Sequence, residues 1–121
     1  KATLYAKGAR VAGNIQAEGA KLVSVTNRTF VDGDIQVKQG GAATITTATV
    51  NGNIQLDENR KALKVNNNTV GGDIQVFKNT GGATIKNNVV AGNLQCKETR
   101  PAPTGGGNVV HGNKEDQCAR L

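Results

Sequence analysis

The chain has 121 residues, enough for one domain or for a piece of a larger protein. Two Phe, one Tyr and no Trp or Met exclude a globular core built on aromatic bulk. The formal charge of +6 favours anionic partners, but the basic residues are mostly single and no aromatic residues alternate with them, which disfavours nucleic acid. No apolar run is long enough to span a bilayer.

The first ten residues, KATLYAKGAR, contain one alternating stretch, TLYA, which is typical of a strand. We predict that residues 1–10 are a partial, uncapped first coil of the repeat that follows. Either a preceding segment has been removed, or this edge associates with another molecule, such as a second copy. The candidate association edge consists of Thr3, Leu4 and Tyr5.

Residues 11–95 repeat one phrase, Val-x-Gly-Asn/Asp-Ile/Leu-Gln. Copies begin at Val11, Val31, Val50, Val70 and Val90, and a broken copy begins at Val110, with steps of 20, 19, 20, 20 and 20 residues. Such short repeats predict a solenoid, because one unit cannot bury its apolar face without its neighbours.

Two alternating stretches in each unit predict two strands. In VNGNIQL we expect an inward row of Val50, Gly52, Ile54 and Leu56, and an outward row of Asn51, Asn53 and Gln55. In the second stretch the inward residues are Val25, Ile45, Val65 and Ile85. The polar corners between strands suit left-handed turns at Asn27, Thr47, Asn67 and Asn87, with a hydrogen-bonded Asn ladder as the alternative.

The pattern as a whole predicts an all-β parallel β-helix of about 20 residues per coil, with five full coils and partial coils at both ends. No helical period is present, and no hairpin signals lie where an antiparallel sandwich needs them. A strict six-residue period, which marks the left-handed form, is also missing. We therefore expect a single right-handed solenoid domain over residues 1–121.

Residues 96–121 read as a carboxy-terminal cap. Cys96 takes an inward position of its coil and Cys118 follows 22 residues later, close to one coil further on. One coil of rise is about 5 Å, which a disulfide can bridge, so we predict that the pair closes the cap, with two buried free thiols as the alternative. A disulfide would place the protein in an oxidising compartment. The segment PAPTGGG is expected to end the second-strand ladder.

The VxGNIQ coils and the ending CKETRPAPTGGGNVVHGNKEDQC resemble short secreted bacterial β-helix proteins of uncharacterised function. A looser resemblance is to bactofilins, polymerising β-helix proteins with Gly-Asn/Asp-Ile-rich coils. The cysteine-flanked end departs from the bactofilin pattern. The first resemblance implies a secreted, periplasmic or surface protein of bacterial origin.

A candidate ligand strip follows the outward positions of the repeat. Amides and carboxylates alternate at one position, and Gln occupies another, so the two rows could bind a hydroxyl-rich polymer. The alternative is a surface ladder that serves the stacking itself. The strip consists of Asn14, Asp34, Asn53, Asp73, Asn93, Gln16, Gln36, Gln55, Gln75 and Gln95.

Catalysis is not expected from this sequence. The one acidic pair of the repeat body, Asp57-Glu58, lies at a corner beside Arg60 and Lys61, where salt bridges are expected. Two hydrolytic carboxylates must face each other across a bond, which neighbours on a turn do not. We predict no metal and no cofactor, because one His and two Cys do not make a zinc site. Ice binding is disfavoured because Thr-x-Thr occurs in one coil only.

The sequence thus favours a non-catalytic secreted or surface solenoid with a structural or self-association role. The alternative is a module that binds polyanionic or hydroxyl-rich polysaccharide through the Asn/Asp and Gln rows. A homo-oligomer through the uncapped amino-terminal edge is the expected partner in the first case.

Overall fold

A computed structural model describes residues 2–121 and shows an all-β parallel solenoid without a helix in that range. Eighteen strands form three sheets of six strands each, so the chain makes roughly six turns of about 20 residues. The predicted fold class is therefore confirmed. The right-handed sense of the coil stays a prediction.

Each turn contributes one strand to each sheet, and all strand pairs are parallel. Sheet A contains β1 (Thr3–Lys7), β4 (Leu22–Thr26), β7 (Ala42–Thr46), β10 (Leu63–Asn66), β13 (Ala83–Lys86) and β16 (Thr104–Gly106). Sheet B contains β2 (Arg10–Val11), β5 (Phe30–Val31), β8 (Thr49–Val50), β11 (Thr69–Val70), β14 (Val89–Val90) and β17 (Val109–Val110). Sheet C contains β3 (Ile15–Glu18), β6 (Ile35–Lys38), β9 (Ile54–Asp57), β12 (Ile74–Phe77), β15 (Leu94–Lys97) and β18 (Lys114–Asp116).

The core is a set of aliphatic rows that run along the axis of the tube. Ile35 pairs with Ile54 and Ile54 with Ile74, and all three are 0% exposed. Burying such a side chain stabilises the fold by about 1.5–3 kcal/mol. Because side chains alternate along a strand, a slip of one residue would expose a whole row, so these rows set the register.

The structure has three strands in each turn where the sequence suggested two. The phrase VNGNIQL is not one strand: β8 ends at Val50, a bend follows at Asn51 and Gly52, and β9 begins at Ile54. Val50 and Ile54 are both buried as predicted, whereas Gly52 lies in the bend. Ile54 follows Val50 by four positions, an even number, so the inward and outward alternation continues across the bend and hides it.

Two corners of each turn use left-handed backbone. Asn27, Thr47, Asn67 and Asn87 have φ of 57°, 52°, 60° and 54°, which confirms their predicted turn role between sheets A and B. The corner between sheets C and A uses the same conformation, at residues for which the sequence did not predict left-handed backbone. They are Gln39, Glu58, Lys78 and Glu98, with φ between 52° and 57°.

The sheets continue to the carboxy-terminal turn. Thr104–Gly106 pairs with Thr84–Lys86, so the prediction that PAPTGGG ends the ladder was wrong. Gly105 has a φ of 141°, and a Cβ there would overlap the carbonyl oxygen of Ile85. Glycine thus continues this strand because it lets the last turn approach its neighbour closely.

A short segment after β18 closes this end of the tube. Cys96 and Cys118 form a disulfide with a Cα–Cα distance of 5.4 Å, as predicted, and both are 0% exposed. Leu121 packs against the core, and its carbonyl oxygen accepts a 2.9 Å hydrogen bond from Asn108 Nδ2. Closing a loop of this length stabilises the fold by about 3 kcal/mol in the chain-entropy model.

Candidate functional site

The Asn/Asp row of the candidate strip is a continuous hydrogen-bonded ladder. The Oδ1 atom of each residue accepts the backbone N–H of its counterpart one turn later, at 2.7 or 2.8 Å. The ladder runs through Asn14, Asp34, Asn53, Asp73, Asn93 and Asn113. The position needs only an acceptor oxygen, and both Asn and Asp supply one.

From the second rung onward, the glycine before each rung of this ladder has a steric role. A Cβ on Gly72 would overlap the Oδ1 atom of Asn53, and one on Gly52 would overlap that of Asp34. The Gly and the Asn/Asp of the repeat therefore depend on each other. The side-chain oxygen of one turn occupies the space that a side chain at the glycine of the next turn would need.

The Gln row forms a second ladder on the outer face of sheet C. Each Nε2 donates to the Oε1 of the next turn, at 3.2 Å for the first pair and 2.8–2.9 Å for the others. Gln95 Nε2 donates to Glu115 Oε1 at 2.9 Å, so the last turn continues the ladder with a carboxylate. From Gln36 to Gln95 these side chains are half-buried.

The two ladders use the Oδ1 atoms of the Asn/Asp row and the amides that link the Gln row. One N–H of each Gln, the Nδ2 groups of Asn14 and Asn93, and the second carboxylate oxygens of Asp34 and Asp73 are outside the ladders. This geometry favours the interpretation of the strip as a stacking ladder. Polymer binding through the strip stays a prediction.

Two further ladders lie inside the tube, where sequence analysis did not place them. Asn88 is 0% exposed and its Oδ1 accepts both the N–H and the Nδ2 of Asn68 at 3.0 Å. Its own Nδ2 donates to Val65 O at 2.9 Å and to Asn108 Oδ1 at 2.9 Å. At the other corner, Asn59 and Asn79 make the equivalent bonds. Each of these Asn residues directly follows a corner residue with left-handed backbone, and this place in the repeat could have predicted them.

Among residues 2–121, the amino-terminal edge is the end of the tube that no capping segment covers. β1, β2 and β3 each lie at the edge of their sheet and have a single neighbouring strand among residues 2–121. Leu4, Val11 and Ala17 pack on the core but stay partly exposed, whereas Ile54 and Leu56 in the third turn are 0% exposed. Thr3 and Tyr5 project outward from β1, and Tyr5 is 72% exposed.

No protein-family model, curated protein or solved structure matches the chain. The resemblances to secreted bacterial β-helix proteins and to bactofilins therefore stay hypotheses.

Ionic contacts are few on these surfaces. Within residues 2–121 one ion pair forms, between Arg10 Nη2 and Asp32 Oδ1 at 3.1 Å, and Arg10 also lies 4.6 Å from the centre of the Phe30 ring. The salt bridges expected for Asp57-Glu58 do not form. In the same range no three His, Cys, Asp or Glu side chains gather as metal ligands would, and no helix is long and apolar enough to cross a membrane.

The pKa of the Asp57 carboxyl group is displaced upward. Partial burial raises the pKa of Asp57, attraction to Lys38 and Lys78 lowers it, and repulsion from Glu58 raises it. In sheet C it lies between Lys38 and Phe77, and its Oδ1 is buried without a hydrogen-bond partner. The net displacement is upward, so ionising this group opposes folding.

We expect Asp57→Asn to raise the thermal midpoint at neutral pH. Because the pKa is higher in the folded state, the folded state binds more protons between the two values, and stability falls as pH rises through that window. Below the ordinary Asp pKa of about 3.9 both side chains are neutral, so the difference between variant and parent should vanish. Melting curves of variant and parent at neutral pH and below the ordinary Asp pKa check this. The control is Glu18→Gln, which removes an exposed carboxylate from the same face. A lower midpoint for Asp57→Asn at neutral pH would show that attraction to Lys38 dominates.

Proposed function

We propose that this chain is a non-catalytic structural solenoid of an oxidising compartment, secreted, periplasmic or on a bacterial surface, that associates with a second copy through its open amino-terminal turn. The observation that carries the proposal is the difference between the two ends. Within residues 2–121 each end has three edge strands, β1–β3 at one and β16–β18 at the other, but the second end is also closed by a disulfide-linked segment.

The open edge of β1 has a definite set of backbone groups. Gly8 N donates to Thr26 O at 3.1 Å and Lys21 N donates to Ala2 O at 2.7 Å, so even-numbered residues of this strand pair with β4. Because the direction of backbone groups alternates, the N–H and C=O of the odd-numbered residues point away from the stack. They belong to Thr3, Tyr5 and Lys7.

Such an edge is a template for another strand. Association of two open ends would pair the edges of β1, β2 and β3 and cover the partly exposed Leu4, Val11 and Ala17. At the opposite end, Gly105 and Gly106 leave the edge of β16 without side chains, and the terminal segment brings the carbonyl oxygen of Leu121 onto Asn108. A closed dimer is therefore favoured over a filament.

A single substitution can block the edge without touching the β1–β4 ladder. Tyr5→Pro removes an N–H that points out of the stack and places a ring there, which an edge strand tolerates. We expect Tyr5→Pro to be monomeric at concentrations where the parent is a dimer. Tyr5→Ala, which keeps the N–H, should still dimerise. Light scattering after size exclusion, repeated over a dilution series, measures both.

A second pair of variants tests the apolar part of the same surface. Leu4→Glu puts a charge at the open end and should abolish the dimer. Val109→Glu makes the same kind of change at a 56% exposed position in the last turn and should leave it intact. A parent protein that is monomeric at all concentrations, or a dimer that survives both Tyr5→Pro and Leu4→Glu, would refute the proposal.

A further inference from the structure

The charge of the solenoid is concentrated on one side. Sheet A and the two rows of corners that flank it carry nine basic and two acidic residues, whereas the other described residues carry five basic and seven acidic ones. The strands of sheet A and the corner leading to sheet B hold no Asp or Glu. The nine basic residues are Lys7, Lys21, Arg28, Arg60, Lys61, Lys64, Lys78, Lys86 and Arg100.

The outer face of sheet A places hydroxyl groups between these charges. Lys64 is exposed and lies in register between Thr44 and Thr84, which present their side chains on neighbouring strands. The same row begins with Tyr5 beside Ser24. The six strands extend this row over about 24 Å at a strand spacing of about 4.8 Å.

One edge of this face holds a cluster of cations. Lys21, Arg60 and Lys61 line a single depression at the corner between sheets C and A, together with Gly19 and Gly41. None of the three forms an ion pair within residues 2–121. Like charges that share a depression without counter-ions attract an anionic ligand.

The amino-terminal end of the face adds an aromatic surface. Tyr5 lines a second depression together with Lys7, Ser24, Thr26 and Thr46. An exposed phenol ring beside hydroxyl groups and a lysine is a combination that suits a sugar ring carrying an acidic group. The sequence alone showed no aromatic face, because the chain has a single Tyr and its neighbours are set by the stacking.

We propose that the outer face of sheet A, with its basic corner, binds an extended acidic polysaccharide. Carboxylate or sulfate groups of the polymer pair with Lys64, Lys86 and the corner cations, and its hydroxyl groups bond to the Thr and Ser side chains. Duplex or single-stranded nucleic acid fits less well, because one aromatic residue does not form a series of stacking platforms. This inference is independent of the dimer and places the polymer on a different face from the Asn/Asp and Gln strip.

Two matched double variants test the face. Lys64→Gln with Lys86→Gln removes two charges from sheet A, and Lys38→Gln with Lys97→Gln removes two from sheet C. The probes are immobilised heparin and polygalacturonate at low ionic strength, with neutral dextran as the blank. We expect the sheet A variant to bind about tenfold more weakly than the parent and the sheet C variant to stay within about twofold of it. Adding Tyr5→Ala to the sheet A variant should weaken binding further.

Several results would overturn the proposal. Equal losses in the two double variants would mean that net charge alone acts. A loss in Gln55→Ala as large as that in the sheet A variant would assign binding to the strip. Retention on neither polysaccharide, or tighter binding to duplex DNA or to anionic lipid vesicles than to both polysaccharides, would show that the class of partner is wrong.

Discussion

Replacing Asn88 by Ala is expected to destabilise the fold by about 2–5 kcal/mol, since it leaves buried polar groups without partners. The Asn68 N–H and the Val65 carbonyl, bonded to Asn88 at 3.0 and 2.9 Å, would lose those bonds inside the tube. Urea unfolding followed by circular dichroism measures the change. Asn113→Ala is the control: that side chain is exposed, its backbone N–H rather than its amide makes the ladder bond, and we expect a change below about 0.5 kcal/mol.

An Asn/Asp exchange should have different effects in the interior Asn ladder and in the outer Asn/Asp ladder. Asn88→Asp keeps an acceptor but replaces the Nδ2 donor with an oxygen that faces Val65 O and Asn108 Oδ1. We expect a loss at neutral pH at least as large as that of Asn88→Ala, and a smaller one in acid, where the carboxyl group can donate. Asp34→Asn keeps the acceptor that Asn53 N–H needs and should be nearly neutral. Similar effects for the two substitutions would contradict this distinction.

The repeat predicted the solenoid because the core rows are spaced as the turns are. Ile35, Ile54 and Ile74 recur at 19 and 20 residues, and only parallel stacking in register buries them together. The disulfide was also within reach of the sequence. Cys96 takes an inward core position and Cys118 follows about one turn later, so their distance depends only on the rise of a coil.

The division of each turn into three strands, one for each sheet, could not be predicted from the alternation of apolar and polar residues. The bend at Asn51 and Gly52 preserves the inward and outward sides of the chain, so no change of phase marks it. The concentration of charge around sheet A was hidden for the same reason. Lys64 and Lys86 look isolated in the sequence, and they share a face only once Leu63–Asn66 and Ala83–Lys86 pair as neighbouring strands.

The buried Asn residues escaped prediction because polar segments such as DENRK and NNNT look like surface corners. Burial there depends on the backbone of the preceding residue: Glu58 and Asn67, with φ of 56° and 60°, turn the chain so that Asn59 and Asn68 point inward. The side chain then bonds to backbone groups of the preceding turn, Val37 O and Ile45 O. A corner can be both a solvent-exposed loop and the start of an interior ladder.

The glycines of the repeat give the second large expected effect. Gly72→Ala should destabilise the fold by about 2–4 kcal/mol, from overpacking and a lost hydrogen bond. The new methyl group would overlap Asn53 Oδ1, which accepts Asp73 N–H at 2.7 Å, and would also lie 3.0 Å from Gly52 O. Either the Asn53 side chain leaves the ladder or the two turns separate. Urea unfolding measures the loss.

Gly13 offers a matched control at the same position of the first copy. A Cβ on Gly13 meets no atom of the described residues within 4 Å, and its φ is not positive. Gly13→Ala should therefore be neutral or stabilise by up to about 1 kcal/mol, through the lower entropy of the unfolded chain. The steric origin can be isolated further in an Asn53→Ala background. There the overlapping oxygen is gone, and Gly72→Ala should cost less than it does alone, since the two positions are coupled. Equal losses from Gly72→Ala and Gly13→Ala would mean that glycine is needed for its backbone, not for the space that it leaves to the ladder.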